Sequence, residues 1–234
     1  MKLKFSPPWW GVLLLILGLG IFIKLGCWQL ARAQEKSQML LLAKDRNGSA
    51  YKPLSGLSEI TQYQHISVSG TFDDQRIILL DNRFYQHKVG YDVLVPYVVK
   101  NKILLVDRGW IGMGLSRSIS PHIPPLTLLN SIKGTVYYPY NNSWLVMDKI
   151  DAQPKWPLTI AKLDFTKLEI IFKQKIYPFI LQLKRSDPNA LVRDWRVVTM
   201  KPSQHHGYAM QWFTFALAAI IIFIVLNVER SNEN

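Results

Sequence analysis

One cysteine, Cys27, stands in 234 residues. A single thiol forms no intrachain disulfide and no CxxC redox, zinc or copper-transfer motif. Acidic residues are scarce: 16 Asp and Glu against 28 Lys and Arg leave a formal net charge of +12. Charged residues of both signs make up only 19%, under the roughly 25% of an average soluble protein. A nucleic-acid binder of this charge is richer in Lys and Arg and less apolar than a chain that is 49% hydrophobic, so no nucleic-acid partner is expected. Catalytic signatures are missing too. Gly109-Trp110-Ile111-Gly112-Met113-Gly114 follows a β-rich run as a phosphate loop does, but Leu115-Ser116 stand where the Walker pattern needs Lys and Ser or Thr. There is no GxSxG elbow and no HExxH. Asp73 and Asp74 are adjacent, would face opposite ways on a strand, and read as turn residues. His65, His87 and His122 are scattered and read as surface or loop residues. No enzyme is expected, and no internal repeat or low-complexity segment stands out.

What the chain has is two long apolar stretches, one near each end, around a more polar middle; the mean hydropathy of +0.06 averages the three. The first runs from Trp9 to Trp28, with no charged or strongly polar side chain between Trp10 and Lys24. About 20 residues suffice for a hydrocarbon core of roughly 30 Å. Trp9, Trp10 and Trp28 stand at its ends, where indoles favour the headgroup region, and Lys24 can snorkel outward. A cleaved signal peptide is the alternative, but no small-x-small site follows. Gly26-Cys27 hints at a lipoprotein signal, yet Lys24 occupies the position that must be apolar, so Cys27 is expected to be neither lipidated nor disulfide-bonded. The second stretch runs from about Tyr208 to Val228, with Phe215 to Val225 wholly apolar. Two spans put both termini on one side of the membrane. The charge rule does not fix which side, because the middle far exceeds the loop length for which it holds.

The middle reads as β-rich. Ile66, Val68, Gly70 and Phe72 alternate with Ser67, Ser69 and Thr71, a half-buried strand. Ile77–Leu80 is a short apolar run, and Tyr91–Val99 and Lys102–Val106 flank Lys100-Asn101 as a hairpin. Pro96 suggests an edge or a bulge. Further strands are expected at Ile132–Tyr138, Trp156–Leu163 and Ile176–Leu183, a short helix at Phe165–Lys173, and a turn-rich segment at Asn141–Pro157. The fold class is therefore an α+β membrane protein, with two transmembrane helices flanking an antiparallel β-rich central domain. Its parts are residues 1–8 as N-terminus, 9–28 and 205–228 as transmembrane helices, 29–204 as the extramembrane domain and 229–234 as a tail.

Two segments at the membrane edges are unusual. One is Leu25-Gly26-Cys27-Trp28-Gln29-Leu30-Ala31-Arg32; the other is His205-His206-Gly207-Tyr208-Ala209-Met210-Gln211-Trp212-Phe213. His205, Tyr208 and Trp212 recur at i, i+3 and i+7 and share a helix face. Gly11, Gly18 and Leu25 repeat every seven residues on the first helix, where small residues allow close helix approach. A histidine there either ligates a heme iron or anchors the helix at the interface.

These residues resemble the surfeit locus protein 1 family of cytochrome c oxidase assembly factors. Leu25 to Arg32 match its LGxWQLxR block. Gly70-Thr71-Phe72, Asn82-Arg83, Gly90-Tyr91, Pro96 and Arg108-Gly109-Trp110 match its central blocks, and His205, Tyr208, Ala209, Trp212 and Phe213 its closing HxxYAxxWF. Where the family usually has asparagines before that histidine this chain has Ser203-Gln204, and His206 follows it. The resemblance implies an integral membrane assembly factor, not an enzyme, that binds or hands over heme a. His205 would be the iron ligand, and Arg83 and Arg108 would pair with propionates unless they are ordinary ion pairs at turns. The alternative is a cofactor-free chaperone holding an oxidase subunit. Expected partners are cytochrome c oxidase subunits or assembly factors and the lipid bilayer. The resemblance places the termini in the cytoplasm and the domain in the periplasm; with no Arg-rich transit segment ahead of the first span, a bacterial inner membrane is expected. An alkaline phosphatase fusion near Asn130 should therefore be active and one at the C-terminus inactive; the opposite pattern reverses the orientation.

Overall fold

The computed structural model describes residues 2–46, 49–114, 119–139, 154–193, 195 and 197–231. In chain order the elements are β1 (Lys2–Phe5), α1 (Trp9–Arg46), β2 (Lys52–Pro53), β3 (His65–Ser69), β4 (Thr71–Phe72), β5 (Ile78–Tyr85), β6 (Lys88–Val99), β7 (Lys102–Gly112), β8 (Ser131–Tyr137), β9 (Leu158–Ile160), α2 (Phe165–Phe172), β10 (Lys175–Leu183), α3 (Pro202–Asn227) and β11 (Val228–Ser231). They divide into a unit of both chain ends, Met1–Lys44 with Arg196–Asn234, and a second unit, Asp45–Trp195.

The first unit is a pair of helices. In a hydrocarbon environment each backbone N–H and C=O must be satisfied within the segment, which an α-helix does. Both helices are long and apolar enough to cross a membrane, and little of either span is buried inside the protein. Leu13, Leu14, Ile16, Leu17, Ile21 and Ile23 on α1, and Leu217, Ile221, Ile222, Ile224, Val225 and Leu226 on α3, are all exposed. Helices apolar all round are membrane spans when nothing in the protein covers them. α1 continues to Arg46 as a charged extension in which Arg32 Nη1 donates to Glu35 Oε2 at 2.6 Å. β1 and β11 pair antiparallel from Lys2↔Ser231 to Phe5↔Val228, so the described chain ends meet on one side, as a two-span hairpin requires.

The second unit is one nine-stranded sheet in the order β2-β3-β8-β10-β7-β6-β5-β9, with β4 on β6. The expected strands, the Lys100-Asn101 hairpin and α2 are present, so the α+β class with two flanking helices holds. The sheet is mixed rather than wholly antiparallel. β10 runs parallel to β7, β2 to β3 and β5 to β9. The parallel β7–β10 pair needs a long crossover, and the chain between them supplies one that includes α2. β7 is buried on both faces. Ile103 and Leu105 join one core cluster with Leu94, Leu168 and Phe172, while Leu104 and Val106 join another with Ile66, Val136 and Phe179. That double burial is why its sequence shows a continuous apolar run instead of alternation. Each such side chain, fully buried, contributes on the order of 1.5–3 kcal/mol. The expected edge or bulge at Pro96 is neither: Pro96 pairs with Leu105 inside the sheet. Its missing N–H is tolerated because β6 changes partner there, from β5 up to Leu94 to β4 from Tyr97. A second hairpin joins β5 to β6 through Gln86 and His87, both at positive φ (47° and 63°). A two-residue turn of this kind normally announces itself with Asn-Gly, and here the two positions are Gln86-His87 instead. Most of the turn-rich segment expected at 141–157 lies outside the described residues.

The polar pair that ends the apolar run of β7 braces the domain. Arg108 is 2% exposed. Its Nε donates to Asn189 O at 2.9 Å and its Nη1 to Pro124 O at 2.8 Å. Asn189 completes the knot, its Oδ1 accepting from Thr127 N at 2.7 Å and its Nδ2 donating to Thr127 O at 2.9 Å. Asp107 Oδ1 accepts the Gly109 N–H at 2.8 Å. Burial first, and then the neighbouring Asp92 charge, push the Asp107 carboxyl well above the ordinary carboxylate range, while Gly109 N–H and Arg83 pull the other way. The folded protein therefore holds a proton that the unfolded chain releases above about 3.9. The stability this gives is complete below that value and is lost as pH rises through the raised one. Asp107→Asn keeps the acceptor for Gly109 and removes the titration. In detergent, the thermal midpoint of the parent should fall as pH rises from mildly acidic to neutral, and that of Asp107→Asn should fall less; parallel slopes would show that Asp107 is ionised throughout.

Candidate functional site

The site belongs to the helix pair. At the N-terminal end of α3, the His205 Nδ1–H donates to Gln29 Oε1 of α1 at 2.7 Å. A carbonyl oxygen only accepts, so Nδ1 carries the hydrogen, and in the neutral ring Nε2 holds a lone pair. Nε2 is buried and has no hydrogen-bond partner. A buried, unpaired acceptor is costly, on the order of 1–3 kcal/mol, and asks for an explanation.

Packing holds this pair in place. His205 is 8% exposed, and Ala209 and Ala216 are the other buried residues of α3. At i, i+4 and i+11 they form one stripe, whose alanines let the helices close up. Trp212 stacks on Phe22 of α1, with ring centroids 6.1 Å apart. Tyr208, expected on the same face, lies at its outer margin and is 45% exposed. Of the small residues on α1, Gly18 meets nothing within 4 Å, whereas a Cβ on Gly26 would lie 2.6 Å from the Phe213 ring. The close approach is therefore at Gly26, beside Leu25, and at Gly11, where an added Cβ would lie 3.4 Å from Phe223. His206 points elsewhere. It lines an open groove of about 420 Å³ with Leu30, Ala209, Met210, Phe213, Thr214 and Leu217. Ala209 borders both the groove and the buried stripe.

Arg83 and Arg108, the two arginines expected to meet propionates, belong to the second unit and hold different partners. Arg83 lies within β5, not at its end, and its Nε is 3.0 Å from Asp92 Oδ2. Arg108 lies inside β7, closed to solvent, with two of its nitrogens donating to main-chain carbonyls. Neither sits at a strand end, because β5 and β7 run past both positions. The blocks around them converge for structural reasons. Trp110 Nε1 donates to Arg83 O at 3.2 Å, and its ring packs on Tyr85. A Cβ on Gly90 would stand 2.5 Å from that ring. Gly109, at φ +116°, leaves room for Val192 O, which accepts from Trp110 N. Among the described residues no group of three or more His, Cys, Asp or Glu is placed to hold a metal ion.

A family model described as the SURF1 family matches residues 16–217, which takes in the whole domain and part of each span. The chain belongs to the SURF1 family. It is 24% identical over 233 aligned positions to a SURF1-like protein of Rickettsia felis, covering 91% of this chain and 95% of that one. A SURF1-like protein of Rickettsia conorii is 25% identical, covering 88% and 86%, and one of Rickettsia bellii 26% identical, covering 91% and 89%. Within the SURF1 pattern the opening and closing blocks meet in three dimensions through Gln29 and His205.

Gln29 is the residue that sequence reasoning missed. It sits inside the first motif, and only its distance from His205 gives it a role; no spacing within one segment encodes that. Gln29→Leu should leave both ring nitrogens of His205 unpaired and lower the thermal midpoint of the detergent-solubilised chain, at a cost of about 1–3 kcal/mol. Gln29→Leu with His205→Leu should recover most of the loss, since two apolar groups leave nothing unsatisfied. A single variant as stable as the parent would show that the bond carries no weight.

Proposed function

We propose that this chain is an integral inner-membrane assembly factor for the heme-copper cytochrome c oxidase, and that it binds or hands over heme a through His205. Membership of a family of oxidase assembly factors supports the first half. The observation that carries the second is the unpartnered, buried Nε2 of His205, its ring already oriented by Gln29. A metal-ligating histidine characteristically donates its other N–H to a fixed acceptor, which sets the tautomer and raises the basicity of the free nitrogen. His205 Nε2 would hold the iron of heme a, which when bound would supply the metal centre there.

The chain's own residues do the rest. Gln29 holds the ring against rotation. The apolar groove beside Ala209 offers a water-poor surface to a flat hydrophobic ligand, in the volume range of small-molecule sites. Nε2 is covered by the packing of the helices, so a ligand reaches it only when the α1–α3 contact loosens around Gln29. A protein that hands a ligand on benefits from such a closed resting state. Arg108 is committed to main-chain carbonyls and Arg83 to Asp92, so propionates are assigned to neither. Cytochrome c oxidase subunits or other assembly factors, together with the bilayer, are the proposed partners, with the domain on the periplasmic side.

The test is the optical spectrum of the protein purified from cells that make heme a. The parent should carry the heme a absorption. His205→Ala should lose most of it and lower oxidase activity; His206→Ala should change little, with protein levels matched in both. If His206→Ala abolishes the spectrum and His205→Ala does not, the ligand is the groove histidine. If neither matters, a cofactor-free chaperone replaces the heme reading.

A further inference from the structure

Positive side chains converge at one place on the second unit, around the ring of Tyr51. The His65 imidazole stacks on that ring at 5.0 Å and 13°. The ammonium groups of Lys133 and Lys184 lie 5.9 and 5.5 Å from its centroid. The two lysines are held side by side by the backbone, since Lys184 N donates to Lys133 O at 2.8 Å. Arg193 is the next cation. Its Nη1 donates to Leu183 O at 2.5 Å, and its guanidinium lies over the Trp195 ring at 4.8 Å. Burial first, and then the charge of Arg185, disfavour the charged form of Arg193, while Asp107 and Tyr51 act the other way. Burial pushes the Tyr51 phenol up, with Arg193 acting against it.

Among the described residues, the carboxylates within ion-pair distance of a cation serve Arg32, Lys36, Arg76, Arg83 and Lys175, and none serves Lys133, Lys184 or Arg193. Gathering like charges is unfavourable, and free lysines splay into water. Here strand register and a shared aromatic ring hold them together, which prepares a surface for counter-charge. Tyr and Trp with Lys and Arg is also the residue set of the membrane–water interface. In sequence the patch is bracketed by the two spans: Tyr51 follows soon after α1 ends at Arg46, and Arg193 comes shortly before α3 begins at Pro202.

We propose that this patch binds the anionic phospholipid surface, with lipid phosphates meeting Lys133, Lys184 and Arg193 and the Tyr51 and Trp195 rings seated among the headgroups. A Lys or Arg near an anionic surface is attracted to it, and the attraction falls off within a Debye length. Three such residues are enough to select anionic over zwitterionic lipid. The proposal does not depend on heme.

The test reads the lysines one by one. The full chain is reconstituted in nanodiscs of phosphatidylcholine, with or without phosphatidylglycerol, and acetylated with an amine-reactive reagent. Modification rates come from peptide mass spectrometry. Lys133 and Lys184 should react several-fold more slowly with phosphatidylglycerol present, while Lys88 and Lys175 keep their rates. High salt should abolish the difference, and Arg193→Gln should reduce it. Equal rates in the two lipids would overturn the proposal. So would the same protection by inorganic phosphate in phosphatidylcholine alone, which would mark a site for a soluble anion. Uniform slowing of all four lysines would reduce the effect to bulk surface charge and overturn it too.

Discussion

A 2.7 Å hydrogen bond between His205 and Gln29 is the polar contact on which the helix pair turns. Two apolar helices in lipid gain little from meeting, since lipid tails are as apolar as leucine. What fixes their register is close packing and the occasional hydrogen bond. Here the bond sits at the end of the first span, one residue past Trp28, and the alanine stripe of α3 and the cleft at Gly26 fall into line with it. The same bond chooses the tautomer of His205. One interaction thus sets both the helix register and the chemistry of the buried lone pair, and the family's opening and closing motifs are its two halves.

The domain solves a different problem. A strand buried on both faces cannot end on bare backbone, and β7 passes from Ile103–Val106 directly into Asp107 and Arg108. Both stay inside. Arg108 has two of its N–H groups hydrogen-bonded to carbonyls of two loops, so it works as a rivet joining those loops to the sheet. Gly109 permits the close approach of Val192, and Trp110 closes over Gly90 toward the Arg83 main chain. Arg-Gly-Trp is therefore a folding motif in this protein, and its arginine is unavailable to a ligand.

Much of this architecture is visible in the sequence, for identifiable reasons. The spans show because lipid tolerates almost nothing else over about 20 residues. Strands show where one face is buried and the other wet, as at Ile66 and Val68. Parallel pairing does not show, because the alternation of a strand says nothing about its neighbour's direction. The Gln86-His87 turn is hidden because its residues are not the usual formers of left-handed turns. At the site, His205 is legible from the motif, but Gln29 is not, since their contact crosses 176 positions. Arg108 misleads for the opposite reason: an arginine in a polar-looking motif reads as a ligand group until its burial is known.

The charge surplus now has an address. A net +12 with so few acids points toward nucleic acid, a membrane or an acidic partner. Nucleic-acid binding usually spreads its cations along a groove or a helix face. In this chain several arginines and lysines are spent locally, as in Arg32 with Glu35 and Arg83 with Asp92. Those around Tyr51 are instead concentrated on an aromatic pair, at the ends of a domain tethered through both of its termini to apolar helices. A tethered domain meets the bilayer at high effective concentration whether or not it has affinity for it. Weak, non-directional charge attraction then suffices to bias its orientation, and the side chains best suited to that are long, exposed lysines beside interfacial rings. Strong pairing with carboxylates would have made the domain more stable and left it indifferent to the surface beside it.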